Sequence, residues 1–273
     1  MAQENEQENE QENIDGNEAS NKDGRFAGNE DQRRPEQGPA SPSSIAKLFD
    51  GCKVVLFDCD GVLVDSEPIS LATLVDVLDH FGAPLSFREV ADRFTGRSSS
   101  APIDHIRSQT GTDISAEFKP FFYQKLFARY DTELAKISGI DLVLSALRSR
   151  DLAFCISSSS SVERLEKTMV VTGLGPWFAE RIYSADFVKN GKPAPDLFLH
   201  ACADMGFSPS STIVIEDSVA GVTAAVAAGM KCIGFVGGGH YAGQETDATK
   251  RLYDAGADIV ISDMTVLAAA LAD

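Results

Sequence analysis

Short apolar runs alternate with helical patterns from Cys52 to the end of the chain. Five runs have the length of strands that are buried on both faces: CKVVLF, LAFCI, STIVI, KCIGFV and ADIVI. The helical patterns between them close near a glycine, as in VERLEKTMVVTGL and VAGVTAAVAAGM. Continuous apolar strands that alternate with helices are typical of a parallel sheet covered by helices on both faces. The sequence therefore predicts an α/β fold with a doubly wound, Rossmann-like parallel sheet.

The alternation is interrupted between Glu67 and about Ile137. Apolar residues recur there at helical spacing, among them Leu71, Leu74, Val75 and Leu78. We therefore expect an all-helical cap at residues 67–137, inserted after the first strand. The core domain would then consist of residues 45–66 and 138–273. Such a cap would lie over the C-terminal end of the first strand, where open α/β sheets bind their ligands.

The N-terminal segment differs from the rest in composition. Residues 3–13 read QENEQENEQEN, and the first 44 residues hold few large apolar side chains. Because such a segment cannot offset its ordering entropy by burial, we predict a disordered acidic tail at residues 1–44.

The formal net charge of −17 at pH 7 restricts the partners of the chain. Nucleic acids and anionic membranes both require a basic surface, so we expect neither as a partner. No apolar run is long enough to span a membrane, and the five cysteines contain no CxxC pair. We expect a cytoplasmic protein with reduced cysteines, and a monomer by default.

Acidic and polar side chains gather where the predicted strands end. They are Asp58, Asp60, Ser157, Ser158, Glu216 and Asp217, together with Lys192 in the loop KNGKPAPD. The C-terminal ends of parallel strands meet at one edge of the sheet, so these groups should converge. Carboxylates at close quarters repel one another unless a cation lies among them, and oxygen ligands in an open site suit Mg²⁺.

A carboxylate beside Mg²⁺ and a lysine suits phosphoryl transfer. Asp58 is the natural nucleophile towards phosphorus, with an aspartyl-phosphate as the intermediate. Lys192 and the cation would neutralise the phosphoryl oxygens, and Ser157 would support them. Asp60 could protonate the leaving oxygen and later activate water. That role predicts a pKa for Asp60 above the usual value of about 3.9.

The segments DCDGVLVDSEP, FCISSS, GKPAPD and IVIEDS, in this order, resemble the four motifs of the haloacid dehalogenase superfamily. More narrowly, they resemble its branch with a helical cap after the first strand, which includes sugar-phosphate phosphatases and beta-phosphoglucomutase. The resemblance extends from about Cys52 to the C-terminus.

The resemblance implies a role for each matching residue. Asp58 would be the nucleophile, and Asp60 the general acid and base, whose backbone carbonyl also binds Mg²⁺. Ser157 and Lys192 would hold the phosphoryl group. The metal ligands would be Asp58, Asp60, Asp217 and Glu216, the last directly or through water. Candidates for substrate binding are Arg97, Ser158 and Ser159, and His240 is a candidate for substrate contact.

Two departures separate this chain from the mutases that it resembles. Ser70 stands where the mutases carry a histidine that helps to control proton transfer. The stretch RFTGRSSS carries Thr95 before its glycine, so that only Arg97 is left near the site of the second phosphate. Both departures favour water as the phosphoryl acceptor, and an acid at Asp60 argues against a dehalogenase.

The expected activity is therefore Mg²⁺-dependent hydrolysis of a small phosphorylated sugar, sugar acid or polyol. Two alternatives remain open: a phosphosugar mutase, and a non-catalytic module that senses phosphate.

Overall fold

Six strands form one parallel sheet in the computed structural model, which describes residues 40–95 and 100–272. The strands are β1 (Val54–Phe57), β2 (Ala153–Ser158), β3 (Ile182–Ser184), β4 (Thr212–Glu216), β5 (Lys231–Phe235) and β6 (Ile259–Ile261). Their order across the sheet is β3-β2-β1-β4-β5-β6, and every neighbouring pair is parallel. From the central strand β1 the chain runs through β2 to β3 at one edge. It then crosses to β4, beside β1, and continues through β5 to β6 at the other edge. This order is that of a doubly wound sheet, as predicted.

Twelve α-helices accompany the sheet over the same described residues. They are α1 (Pro42–Leu48), α2 (Glu67–His80), α3 (Phe87–Phe94), α4 (Ser100–Thr110), α5 (Ser115–Glu133), α6 (Ile140–Ser149), α7 (Val162–Thr172), α8 (Gly175–Phe178), α9 (Asp196–Asp204), α10 (Val219–Ala227), α11 (Glu245–Ala255) and α12 (Met264–Ala272). None of these helices is both long enough and apolar enough to cross a membrane.

Both faces of the sheet are covered by helices. Successive side chains of a strand point to opposite faces, and β1 shows the consequence. Val54 and Leu56 pack in a cluster with residues of α9, α10 and α11, whereas Val55 and Phe57 pack with residues of α1, α6, α7 and α12. All four side chains are fully buried, which explains why the strand reads as one continuous apolar run.

Helices α2, α3, α4 and α5 all lie between β1 and α6 in the chain, and no strand interrupts them in the described residues. Their apolar faces form a cluster of their own, centred on Val77, Leu78, Val90 and Ile106. The predicted helical cap after the first strand is therefore confirmed. Its boundaries at residues 67 and 137 stay a prediction, and the side chain of Ile137 packs in the cluster of the main sheet.

Two predictions about the elements were wrong. The tail was predicted to extend to Ser44, but α1 begins at Pro42, capped by Ser41, and Ile45 is fully buried; residues 1–39 lie outside the described residues. Strand β3 was not among the five predicted strands. It is only three residues long and lies at the edge of the sheet, so it leaves a short and weak apolar pattern.

Candidate active site

The candidate site lies at the C-terminal edge of the sheet. The register of β1 against β2 and β4 places Asp58, Ser157 and Glu216 at the same level. All three residues are at least nine-tenths buried. The chain leaves the sheet here, so polar side chains collect at this edge, as the sequence predicted.

Lys192 joins two of these carboxylates. Its ammonium nitrogen lies 2.6 Å from Asp58 Oδ1 and 2.5 Å from Glu216 Oε1, and only 3% of its side chain is exposed. Burial by itself lowers the pKa of Lys192, but the two carboxylates outweigh burial and raise it. The Lys192–Pro193 peptide bond is cis.

Glu216 is fully engaged by the protein. Its Oε1 accepts from Lys192, and its Oε2 accepts from the backbone N–H and the hydroxyl of Ser218. Both oxygens of Glu216 thus have partners in the protein, and one of these partners is Lys192. The predicted role of Glu216 as a metal ligand stays a prediction.

Asp58 and Asp217 form the part of the site that suits a cation. Burial raises the pKa of Asp58, and the neighbouring Glu216 and Asp217 raise it further against the opposing effect of Lys192. Burial likewise raises the pKa of Asp217, together with repulsion from Glu216 and Glu67.

A bound cation would offset this repulsion. Among the residues that the structure describes, no three His, Cys, Asp or Glu side chains are grouped so as to hold a metal ion by themselves. Mg²⁺ commonly takes only one or two carboxylates, with waters and phosphate oxygens completing its shell. The donor set of Asp58 and Asp217 therefore fits Mg²⁺.

Asp60 is held by three donors. The hydroxyls of Ser66 and Ser160 each lie 2.5 Å from a carboxylate oxygen of Asp60, and Arg164 lies 2.7 Å from Oδ1. Burial raises the pKa of Asp60, but Arg164 and these hydrogen bonds outweigh burial and lower it. The expectation of a raised pKa for Asp60 was therefore wrong for this arrangement.

The sequence analysis missed all three donors, and Arg164 is the charged one among them. It lies in the first turn of α7, and its guanidinium also donates to the Ser70 hydroxyl of α2 at 3.0 Å. Its carbon Cζ is 5.8 Å from the centre of the Tyr130 ring of α5. A cation near a helix N-terminus is repelled by the positive end of the helix dipole. An arginine at this position therefore indicates that an anionic group lies nearby and stabilises it.

The serines of the run after β2 have different partners. The N-cap of α7 is Ser161, whose hydroxyl accepts from the Arg164 N–H. Ser160 donates to Asp60. The Ser158 hydroxyl is buried and accepts from the Ser160 N–H at 3.1 Å, whereas Ser159 is exposed. A substrate-binding role for Ser158 and Ser159 stays a prediction.

Arg97 lies in the gap between residues 95 and 100, outside the described residues. Its predicted contact with substrate stays a prediction.

Comparison with known proteins identifies the family of the chain. A sequence profile described as haloacid dehalogenase-like hydrolase matches residues 55–235. The 6-phosphogluconate phosphatase of Escherichia coli is 31% identical over 189 residues, which cover 69% of this chain and 84% of the relative.

Two solved structures share the fold. A haloacid dehalogenase-like protein of Agrobacterium tumefaciens is 38% identical, with a TM-score of 0.67 over 81% of this chain and 98% of that protein. A haloacid dehalogenase-family hydrolase of Deinococcus radiodurans, solved with bound phosphate and sodium, is 34% identical. Its TM-score is 0.66 over 81% of this chain and 96% of that protein.

The resemblance seen in the four motifs is thus confirmed by a profile that spans most of the sheet and by relatives that align over most of their own length. The prediction that the chain is an enzyme of the hydrolase class is confirmed with it. This chain belongs to the haloacid dehalogenase-like hydrolases.

Proposed function

We propose that this protein is a Mg²⁺-dependent phosphatase of a small phosphorylated sugar, sugar acid or polyol, and that it acts through an aspartyl-phosphate. The observation that carries the proposal is the buried Asp58 carboxylate, with Lys192 on one oxygen and Asp217 close by. A nucleophile, a phosphate-binding cation and a second carboxylate thus lie together at the rim of the sheet.

Asp58 supplies the attacking atom. Lys192 occupies Oδ1, and Oδ2 accepts no hydrogen bond from the described residues. Oδ2 attacks phosphorus, the bond to the ester oxygen breaks, and the aspartyl-phosphate forms. Attack requires the ionised carboxylate, which burial disfavours and Lys192 favours.

Asp58 and Asp217 would hold Mg²⁺, which would supply further positive charge against the phosphoryl oxygens. Lys192 contributes in the same way, because Glu216 holds its ammonium group beside Asp58. Ser157 lies at the level of Asp58 and is fully buried, and its hydroxyl would donate to the phosphoryl group.

Asp60 handles the proton. In the structure its lowered pKa favours the ionised form, which is the form that accepts a proton from water as water attacks the aspartyl-phosphate. To donate a proton to the departing alcohol, Asp60 must first take up a proton, which its three donors oppose because they stabilise the ionised form. The hydrogen bonds from Ser66, Ser160 and Arg164 therefore bear on both halves of the cycle.

The substrate class rests on the relative named as a 6-phosphogluconate phosphatase. Helices α2 and α5 contact the rim through Ser70 and Tyr130, beside Arg164. Closure of a cap at this position would enclose a small molecule and exclude bulk water. The partner is therefore a small phosphorylated metabolite, and a cytoplasmic monomer remains the expectation from the sequence.

A phosphosugar mutase is the second candidate. It would need a proton-transfer group at Ser70, but the Ser70 hydroxyl accepts from Arg164 and donates to the Ser66 carbonyl. Hydrolysis is therefore favoured. Conversion of a hexose 1-phosphate into its 6-phosphate without phosphate release would overturn this choice.

The direct test is phosphate release from a panel of phosphorylated sugars, sugar acids and polyols with Mg²⁺. We expect turnover that EDTA abolishes and that excess Mg²⁺ restores. Failure of every phosphomonoester in the panel, p-nitrophenyl phosphate included, would overturn the proposal.

The nucleophile has its own test. Asp58→Asn should lower kcat by at least about a thousandfold, because the amide cannot attack phosphorus. The midpoint of thermal unfolding should stay near that of the wild type. Asp254→Asn, at an exposed position on α11, is the matched control and should leave kcat unchanged. Activity of the Asp58 variant near the wild-type level would refute the assignment.

A further inference from the structure

The loop that follows β5 contacts Asp217 at two points. The Tyr241 hydroxyl donates to the backbone carbonyl of Asp217 at 2.6 Å, and His240 Nε2 lies 3.2 Å from Asp217 Oδ2. The same loop is tied to the start of the cap segment, because the Gly239 N–H donates to Asp65 Oδ1 at 2.9 Å. The backbone and the carboxylate of Asp217 are thus held by neighbouring residues of a single loop.

The contact between His240 and Asp217 is shielded from solvent. Only 5% of the His240 side chain and 8% of the Asp217 side chain are exposed. Nδ1 is buried and has no hydrogen-bond partner among the described residues, so Nε2 is the ring nitrogen that lies against Asp217. Asp217 must be ionised to bind a cation, and an ionised carboxylate can only accept, so Nε2 would be the donor in that state.

Two glycines make room for this pair. A Cβ at Gly61 would lie 2.0 Å from Asp217 Oδ2 and 3.0 Å from His240 Cε1. A Cβ at Gly238 would lie 2.8 Å from His240 Cε1. A side chain at either position would therefore collide with the Asp217 carboxylate or with the imidazole.

The contact with His240 involves one of the two carboxylate oxygens of Asp217. Oδ2 faces His240, whereas Oδ1 accepts no hydrogen bond from the part of the chain that the structure describes. Oδ1 is therefore left for a cation to bind.

We propose that His240 is a positioning residue that holds Asp217 so that Oδ1 is presented to Mg²⁺. The inference rests on the proposed function, because it takes Asp217 as a ligand of the cation. His240 would not touch the substrate, in contrast to the substrate contact considered from the sequence. Outer partners that orient a metal ligand typically contribute 10- to 100-fold in metal affinity.

The test compares two replacements of His240 by their effect on Mg²⁺ binding. His240→Phe keeps a ring but removes the donor, and His240→Gln places an amide nitrogen near the position of Nε2. We expect the Kd of Mg²⁺, measured by isothermal titration calorimetry without substrate, to rise about 10- to 100-fold for the first variant. It should stay within about threefold for the second, since the amide again donates to Oδ2.

The matched control is His200→Phe. His200 is exposed on α9, and its ring lies in T-shaped arrangements with the rings of Tyr183 and Phe187. This control should leave the Kd of Mg²⁺ unchanged. Should His240→Phe not fold, His240→Asn serves instead, because its shorter amide does not reach Oδ2 and should weaken Mg²⁺ binding in the same way.

The outcomes separate this inference from the proposed function. A wild-type protein that binds Mg²⁺ and releases phosphate, with a His240→Phe variant of equal Mg²⁺ affinity, overturns the inference alone. Equal weakening by His240→Phe and His240→Gln overturns it as well, because packing rather than the hydrogen bond would then be responsible. A wild-type protein that binds no Mg²⁺ overturns both.

Discussion

At the scale of single residues, Lys192 lies between the buried carboxylates of Asp58 and Glu216. A buried ion pair stabilises the fold only when the attraction between its well-placed partners offsets the hydration that both charges lose. Removal of one partner leaves an uncompensated buried charge. The two carboxylates share this one ammonium group, so its loss affects both of them. The same contacts that prepare the site for phosphate therefore also contribute to the stability of the fold.

Lys192→Met should therefore lower the free energy of unfolding by about 3–5 kcal/mol, measured by urea denaturation at neutral pH without divalent ions. The methionine fills a similar volume but carries no charge. Lys250→Met is the matched control, because the pair of Lys250 with Asp254 is exposed and such pairs contribute about 0–1 kcal/mol. Equal losses in both variants would contradict the buried pairing.

At the scale of elements, the first turn of α10 is shaped to receive the side chain of Glu216. The helix begins after Ser218, whose hydroxyl caps the Gly221 N–H. A Cβ on Gly221 would lie 1.8 Å from Glu216 Oε1, so only glycine leaves space for the carboxylate that holds Lys192. A glycine within a helix is normally unfavourable, and here the close approach of Glu216 explains it.

Gly221→Ala should thus act against the usual helix preference. In an open helix position this change stabilises by about 1 kcal/mol, whereas here we expect a loss of about 1–3 kcal/mol in the free energy of unfolding. Phosphatase activity should fall with it, since Glu216 and Lys192 must move. Gly175→Ala on α8 is the control, because the nearest heavy atom to its Cβ lies at 3.8 Å. Stabilisation by Gly221→Ala would refute the argument.

At the scale of the whole molecule, the two apolar clusters on either face of the sheet enclose all five cysteines. Burial raises the pKa of Cys155 to about 12 and also raises the pKa of Cys52, Cys59 and Cys232. The thiolate is the reactive form of cysteine. Buried thiols with raised pKa values stay protonated at mildly alkaline pH and lie out of reach of reagents.

Iodoacetamide should therefore alkylate none of the five cysteines in the folded protein at mildly alkaline pH, and all five after denaturation in guanidinium. Intact-mass spectrometry counts the added groups. Rapid labelling of the folded protein would show that a thiol is accessible, and the position of that label would identify the part of the core that opens.

The sequence was sufficient for the sheet and for much of the rim. Continuous apolar runs predicted five of the six strands, since a strand buried on both faces needs apolar side chains at every position. The acids and the lysine were predictable because the ends of parallel strands meet at one edge. Short elements were not predictable in this way. Strand β3 has three residues and α1 has seven, which is too few to show a clear hydrophobic periodicity.

Only the tertiary structure decided which charged groups pair. Asp60 and Arg164 are far apart in the chain, so no local pattern showed that the arginine would lower the pKa of this acid. The same holds for His240, which lies against Asp217 because two glycines leave room for its ring. The residues of a strand or helix that are buried follow from the local hydrophobic pattern, so they can be predicted from the sequence. The partner of a buried charge depends on which distant residue the folded chain brings within a few ångströms, and only the folded structure shows that.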